Sequence, residues 1–243
     1  MFNGIDLTSL FNVSDLEDAL LPREVSTVEV PGMDGALFTG VKLSQRSIKL
    51  TLTVKDDSLD GVRAASRLLA AILAVKQPAP LSMSIDGGLY FMAVPKAQEP
   101  GAIFRNAVRH EVEFVIPDPV AYGDLRTVTV PSGGSVTFTV CGTYPTMPTV
   151  EDVLTVSASD ELWRLSLEDG TYLAYGPSYD GATRIDSLAI DCPARTLKVN
   201  GYTEMLTAES LWLELMPGTH TLTLDGSATS GPATVTFRER WMG

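Results

Sequence analysis

The segment Pro117-Asp118-Pro119-Val120-Ala121-Tyr122-Gly123 separates two parts of the sequence that differ in their pattern of apolar residues. Its two prolines stop the strand that precedes it, because proline cannot donate a backbone hydrogen bond to a sheet. Sequence with a helical period lies before the segment, and short alternating stretches between turn signals follow it. We therefore predict two β-rich domains, residues 1–123 and 124–243.

One strand and one helix are clearly marked before the boundary. Every second residue from Ile48 to Val54 is apolar within Arg46–Lys55, which predicts a half-buried strand. The stretch Ser58–Val75 repeats apolar residues at steps of three and four, which predicts an amphipathic helix. Asp57 is the predicted N-cap, and the helix is interpreted as a lid over the sheet.

A turn-rich spacer, Pro31-Gly32-Met33-Asp34-Gly35, separates the alternating stretches Ser26–Val30 and Ala36–Val41. Glycine, proline and aspartate favour the backbone angles of tight turns, so the pattern predicts a β-hairpin. A plain surface turn and an interaction arm agree with this pattern equally well.

The part after Gly123 shows no further helical period. Short alternating stretches follow one another there, and Asp169-Gly170, Asn200-Gly201 and Asp225-Gly226 mark hairpin turns between them. Many short strands at this spacing predict a β-sandwich.

Charge and composition exclude several functions. The formal net charge is −12, and an acidic surface repels phosphate backbones, which disfavours sequence-specific nucleic-acid binding. The longest apolar run, Leu68–Val75, is too short for a membrane span, and the N-terminus shows no secretion signal. Cys141 and Cys192 are interpreted as reduced, buried thiols, while one bridge between them stays open.

No catalytic site is predicted. His110 and His220 are the two histidines, and both lie on alternating strands, which favours structural roles. Phosphate-binding loops, zinc motifs and EF-hand loops are missing from the sequence, so we expect neither a cofactor nor a metal. A glycosidase would need two neighbouring acids; the pairs available for this less favoured alternative are Glu151/Asp152, Glu168/Asp169 and Asp186/Asp191.

The second interpretation is a carbohydrate-binding adhesion module that recognises a host cell-surface polysaccharide. Such a sandwich stacks outward aromatic rings on sugars. The aromatic residues of the second domain that could serve are Trp163, Tyr172, Tyr175, Tyr179 and Trp212. Trp212 is predicted to point outward, because it alternates with leucines in the predicted strand Leu211–Leu215.

The order of several short motifs along the chain resembles the distal tail protein (Dit) family of siphophages, the long-tailed, non-contractile bacteriophages. Each motif is unspecific alone, and their order and spacing carry the resemblance. Two departures are Ile116, where many relatives have a small residue, and His220, where asparagine is common. The matching residues are Pro31, Gly32, Asp34 and Gly35, then Pro117, Asp118, Pro119 and Tyr122, then Pro217 and Gly218, and finally Trp241.

The resemblance implies a structural hub without enzymatic activity at the tail tip of the virion. Its N-terminal domain would form a homo-hexameric ring, alone or as two stacked rings, and its galectin-like C-terminal sandwich would project outward. The implied partners are the tail tube protein, a tail-associated lysin-like hub protein, and receptor-binding or baseplate proteins. DNA would pass through the ring, and assembly would take place in the host cytoplasm.

Overall fold

The computed structural model describes residues 1–18, 22–84, 87–99, 103–104 and 106–242. The prediction of a mainly β fold is confirmed. The chain divides into two compact units, one formed mainly by Met1–Tyr122 and the other by Gly123–Trp241. Each unit has its own buried apolar residues.

The first unit is built on an antiparallel sheet with the strand order β1-β4-β8-β6, in which β5 pairs with β6 and β7 with β8. A separate hairpin of β2 and β3 belongs to the same unit. The elements in chain order are α1 (Leu7–Leu10), β1 (Asn12–Asp18), β2 (Arg23–Val28), β3 (Leu37–Leu43), β4 (Arg46–Lys55), α2 (Leu59–Leu73), β5 (Ala79–Ser82), β6 (Tyr90–Glu99), β7 (Ile103–Phe104) and β8 (Ala107–Ile116).

Strand β4 has the predicted bounds and buries its apolar face. Helix α2 packs against it and buries Val62 and Leu69, in agreement with a lid over the sheet. The predicted N-cap, Asp57, is wrong. The Ser58 hydroxyl accepts the bond from the Gly61 N–H at 3.0 Å, and the Asp56 carboxylate in turn accepts from the Ser58 N–H.

His110 lies on β8 and is half-buried, and its Nε2 lies 3.2 Å from the Ser66 hydroxyl of α2. This hydrogen bond ties the helix to the sheet. Burial lowers the pKa of His110, because a low-dielectric environment disfavours the charged imidazolium. The predicted structural role of this histidine is confirmed by its place between the two elements.

The boundary segment is fixed by its own side chains. The Tyr122 hydroxyl donates to the Asp118 carboxylate four residues earlier, and the Tyr122 ring stacks on Tyr90 at 5.8 Å. Val120 and Ala121 are buried between these contacts. Strand β9 (Ala121–Val130) begins in this segment.

The second unit is a sandwich of two antiparallel sheets, as predicted. One sheet has the order β9-β19-β11-β14-β15-β16 with β18 paired to β11, and the other has the order β10-β17-β12-β13. The remaining strands are β10 (Ser135–Val140), β11 (Thr149–Val156), β12 (Trp163–Leu167), β13 (Tyr172–Tyr175), β14 (Arg184–Asp191), β15 (Thr196–Val199), β16 (Tyr202–Glu204), β17 (Gly218–Gly226), β18 (Thr229–Ser230) and β19 (Ala233–Trp241).

A buried polar pair lies inside the sandwich. The indole N–H of Trp163, on one sheet, donates to the Asp152 carboxylate, on the other, at 2.7 Å. Burial raises the pKa of Asp152, although the bonds from Trp163 and from the Val153 N–H act in the opposite direction. The pair joins the two sheets at a fully buried position.

Both cysteines are free thiols. Cys192 is buried, and burial raises its pKa to about 12. Cys141 is exposed, so the prediction of two buried thiols is wrong for this residue. Within the described residues, no helix is both long enough and apolar enough to cross a membrane.

Candidate assembly site

The hairpin β2–β3 is the part of the first unit with the least packing of its own. Its strands pair with each other and with no other strand in the described part of the chain. All of β2 is exposed, and β3 is exposed except for Gly40 and Leu43, which are half-buried. We call residues 23–43, with both strands and the connecting turn, the arm.

The arm exposes an unusual number of large apolar side chains. Their exposed fractions range from 40% to 61%, and a hairpin of two strands is at best marginally stable in water on its own. Clustered exposed apolar side chains mark a surface that another molecule covers. These side chains are Val25, Val28, Val30, Met33, Leu37, Phe38 and Val41.

Both faces of the arm carry apolar residues. Directly opposed residues of an antiparallel pair share a face. One face of the arm therefore carries the pair Val25 and Val41 and, two positions further along β2, the pair Thr27 and Phe38. The other face carries the pair Val28 and Leu37. A hairpin lying on its own domain would have one apolar face only, so this arrangement suits an arm that is covered on both sides.

The tip of the arm explains the turn motif in the sequence. The Met33 N–H donates to the Val30 carbonyl oxygen at 3.1 Å and closes a four-residue turn. Pro31 and Gly32 occupy its two central positions, and Gly32 has φ +86°, which a type II turn requires. Gly35 also has φ +86° and lies two residues before the start of β3. Asp34 lies between the two glycines and is exposed.

The motif residues of the second unit lie in a separate turn and in the last strand. Gly218 follows Pro217 and begins β17 opposite Val140. His220 fixes this turn, since its Nε2 lies 2.7 Å from the Met216 carbonyl oxygen and its Nδ1 lies 2.8 Å from a Glu168 carboxylate oxygen. Trp241 is half-buried at the end of β19.

The structure corrects the set of aromatic residues expected to bind a sugar. Trp163 is fully buried and Tyr175 nearly so, because their side chains lie in the sandwich core, and neither ring can stack on a ligand. Trp212 is half-buried against the same core and lies outside any strand, so the predicted strand Leu211–Leu215 is wrong. Tyr179 is half-buried in the segment before β14.

Tyr172 is the remaining aromatic residue of that set. The Arg164 guanidinium covers its ring at 4.3 Å, and its hydroxyl donates to the Glu209 carboxylate at 3.0 Å. That bond to Glu209 raises the pKa of Tyr172. One face of the ring is therefore occupied by Arg164, and the five aromatic residues do not form a common platform.

Three of the six acids considered for catalysis, Asp152, Glu168 and Asp186, are engaged in structural contacts. Asp186 is buried and accepts hydrogen bonds from Arg184 Nε at 3.0 Å and from Asn200 Nδ2 at 2.9 Å. Asp152 is bound by Trp163, and Glu168 accepts from the Thr221 N–H at 2.8 Å. The described residues contain no group of three or more His, Cys, Asp or Glu side chains that could hold a metal ion.

Sequence reasoning missed two features of the first unit. Helix α1 is only four residues long, with Leu7 as its one buried residue, and so shows no period. Its start was nevertheless readable, because Asp6 is an N-cap whose carboxylate accepts from the Thr8 N–H at 2.9 Å. The second feature is the apolar composition of both faces of the arm, which is visible once the strand register is known.

Two family models match this chain. The model described as phage tail protein RIFT-related domain matches residues 5–116. The model described as siphovirus-type tail component, C-terminal domain, matches residues 141–241. Among the curated proteins, none matches the chain.

Comparison with solved structures agrees with these matches in fold. The crystal structure of the Dit protein of phage SPP1, described as a paradigm of the hub adsorption apparatus in phages that infect Gram-positive bacteria, has a TM-score of 0.81 at 21% identity, covering 99% of this chain and 97% of that chain. The baseplate of phage P2 in its activated conformation with calcium matches at a TM-score of 0.49 and 9% identity, covering 96% and 92%. A β-fructofuranosidase from Schwanniomyces occidentalis has a TM-score of 0.28 at 9% identity, covering 90% of this chain and 59% of that chain.

Proposed function

The chain belongs to the distal tail protein family of siphophages, a family of structural components of the phage tail hub, and on this basis we propose that it forms a hexameric ring at the tail tip. The ring joins the tail tube to the baseplate and to the proteins that adhere to the host. Its subunits assemble in the host cytoplasm and become part of the virion. The ring-forming domain is residues 1–123, and the sandwich of residues 124–243 projects outward.

The observation that carries the proposal is the arm. It exposes seven large apolar side chains, five on the two faces of its strands and two in the connecting turn, and its strands pair with no other strand in the described residues. Apolar burial stabilises association by roughly 25 cal/mol for each Å² removed from water. An arm of this kind is stabilised when a neighbouring subunit covers it.

A closed ring requires each subunit to present two different surfaces. Head-to-tail contacts are heterologous, and they close into a ring when the rotation between neighbours divides a full turn evenly. A projecting arm supplies one of these surfaces. Because the contact repeats identically around the ring, one arm in each subunit is sufficient to link all six.

The charge of the chain suits passage of DNA rather than its retention. The net charge of −12 on each subunit repels phosphate groups, so the ring gives DNA no electrostatic grip. The proposed partners are therefore proteins: the tail tube protein, a lysin-like hub protein, and receptor-binding or baseplate proteins.

The proposed role needs no catalysis. The buried acids Asp152 and Asp186 are held by hydrogen bonds within the fold, and the two histidines hold structural positions. Two of the residues on which carbohydrate binding rested, Trp163 and Tyr175, are buried. The structural role is therefore favoured over both alternatives.

The test removes the arm at a cross-strand pair where a short turn can join the two strands. Glu24 and Lys42 are directly paired across the hairpin, with an ion pair of 3.0 Å. Replacing residues 25–41 by Asn-Gly gives a two-residue hairpin turn at this pair. We expect the trimmed protein to keep its circular dichroism spectrum and to be a monomer by light scattering. A ring formed by the trimmed protein would contradict the role of the arm.

A further inference from the structure

We propose that an apolar groove in the first unit, formed by the N-terminal residues, α1, β1 and the end of β5, is the acceptor for the arm of a second copy of this chain. The assignment rests on the proposed ring and names the surface that the arm contacts. Because a heterologous contact joins two different patches, the acceptor must be an exposed apolar region outside the arm.

Few large apolar side chains of the first unit are exposed outside the arm. In the described residues of this unit they are Met1, Leu10, Leu16, Met242, Leu59 and Leu68. The last two lie on helix α2, nine residues apart, which at 3.6 residues per turn places them on opposite sides of the helix. They therefore do not form a common patch with each other.

Two of the other four, Met1 and Leu16, line one groove of about 510 Å³. Leu10 is not among its lining residues, but it belongs to α1, whose residue Leu7 lines the groove. The buried or half-buried residues Val13, Leu50 and Leu81 add to its apolar wall, and the polar lining residues are Asp6, Thr8, Ser82 and Ser84. Most of the exposed large apolar side chains in the described part of the first unit therefore lie on the arm or line this groove.

The groove is preformed, because the segments around it are fixed by their own contacts. The Met1 amino group donates to the Ser82 carbonyl oxygen at 2.6 Å, and the Ser82 N–H donates back to Met1 at 2.9 Å. Phe2 is fully buried and its ring lies 5.0 Å from that of Phe114. A fixed groove loses little conformational entropy on binding, which favours association.

Strand β1 adds a second element of recognition. Within the described residues it is the edge of its sheet and pairs with β4 on one side only, so backbone donors and acceptors on its other side are open to a further strand. In the described part of the chain, each strand of the arm likewise has one side that pairs with no other strand. A strand of the arm can therefore extend the sheet at β1, while the face that bears Phe38 fills the groove beside Leu16.

The experiment uses the full chain and three single substitutions to glutamate. Phe38→Glu changes the arm, Leu16→Glu changes the groove, and Leu68→Glu is the matched control on α2, with similar exposure to Leu16 and outside both surfaces. A charge placed in an apolar contact is desolvated without a partner, which opposes association. We expect the first two variants to be monomers by light scattering and the control to assemble like the wild type.

Mixing the two monomeric variants gives the sharper result. The Leu16→Glu protein keeps an intact arm, and the Phe38→Glu protein keeps an intact groove. One productive contact is then available, so the mixture should form a one-to-one dimer that grows no further. Arm-to-arm pairing would instead allow Leu16→Glu to self-associate, and that result would overturn the assignment.

The outcomes distinguish a failure of the groove as the acceptor from a failure of the proposed ring. If Phe38→Glu is a monomer while Leu16→Glu assembles normally, the arm is required but the groove is not its acceptor, and this inference is wrong. A wild-type protein that stays monomeric would overturn the ring and the acceptor together. If Leu16→Glu fails to fold by circular dichroism, Leu10→Glu on α1, the helix whose Leu7 and Thr8 line the groove, replaces it in the mixing experiment, with the same expected dimer.

Discussion

Two hairpins of this chain, each made of two antiparallel strands, have opposite surroundings. The arm pairs β2 with β3, and the core hairpin pairs β12 with β13, each in antiparallel register. In the core hairpin, Trp163, Leu165 and Leu173 are fully buried within the sandwich. In the arm, comparable side chains such as Val25 and Phe38 are more than half exposed. The core hairpin is stabilised within its own domain, whereas the arm has no such packing.

The difference lies in how apolar residues are distributed over the two faces. In β12, Trp163, Leu165 and Leu167 share one face, and the polar Arg164 and Ser166 share the other. This is the pattern of a strand with one buried side. The arm has apolar pairs on both faces, and one domain surface cannot cover both. A hairpin that is apolar on both sides therefore indicates a contact outside its own subunit.

The largest expected effect is a difference in the free energy of unfolding lost when a large side chain of each hairpin is replaced by alanine. Trp163→Ala removes a fully buried ring and should lower the free energy of unfolding by about 3–5 kcal/mol. Phe38→Ala should change it by less than ~0.5 kcal/mol, because the side chain is exposed. Both are measured by urea unfolding of protein kept monomeric by Leu16→Glu, so that assembly does not contribute. A loss at Phe38 as large as that at Trp163 would show that the arm packs on its own chain.

The next effect concerns the buried partner of Trp163. Asp152→Ala leaves the indole N–H without its acceptor and should cost about 1–3 kcal/mol. The acid also gives a pH signature, since burial raises its pKa in the folded protein. The folded state then binds the proton more tightly than the unfolded state, so this contribution to stability is present below the ordinary aspartate pKa and is lost as the pH rises through the raised pKa.

The pH signature is measured against Asp152→Asn, which has nearly the same shape and does not titrate. Relative to this variant, the wild type should lose stability as the pH rises across that window, with a pKa shift of one unit corresponding to about 1.4 kcal/mol. Parallel stability curves for the two proteins would contradict a raised pKa at Asp152.

The smallest effect compares the two turns. Gly32 at the tip of the arm has φ +86°, and Gly170 in the core hairpin has φ +88°. Alanine is strained at either position by about 1–2 kcal/mol. Gly170→Ala should lower the free energy of unfolding of the domain by about this amount. Gly32→Ala should lower it less, because the strain falls on an arm that is not packed on the domain. Equal losses in urea unfolding would contradict the independence of the arm.

Much of the fold could be predicted because alternation and apolar burial agree. Strand β4 was predicted with its bounds, since every second residue from Ile48 to Val54 meets the same core. The helix cap was misplaced by one residue, because Asp57 and Ser58 have equal cap propensity and only the backbone geometry selects the serine. The sequence did contain the signal that Trp163 is buried, as it shares a face with Leu165.

The candidate site was predictable in part. The turn chemistry of Pro31 and Gly32 predicted the hairpin, but not whether its side chains find partners within the domain. The groove could not be predicted at all. Its walls come from four separate segments, near Leu7, Leu16, Leu50 and Leu81, and only the folded sheet brings them together. Local patterns report which face of an element is apolar, whereas a groove depends on which elements become neighbours.

The most direct test of the account is the native mass of the purified wild-type protein. Light scattering or native mass spectrometry compares it with the 26.1 kDa of one chain. The proposed ring predicts an assembly of six chains, which the arm-trimmed protein reduces to single chains. A wild-type protein that stays at the mass of one chain over the accessible concentration range would contradict the ring.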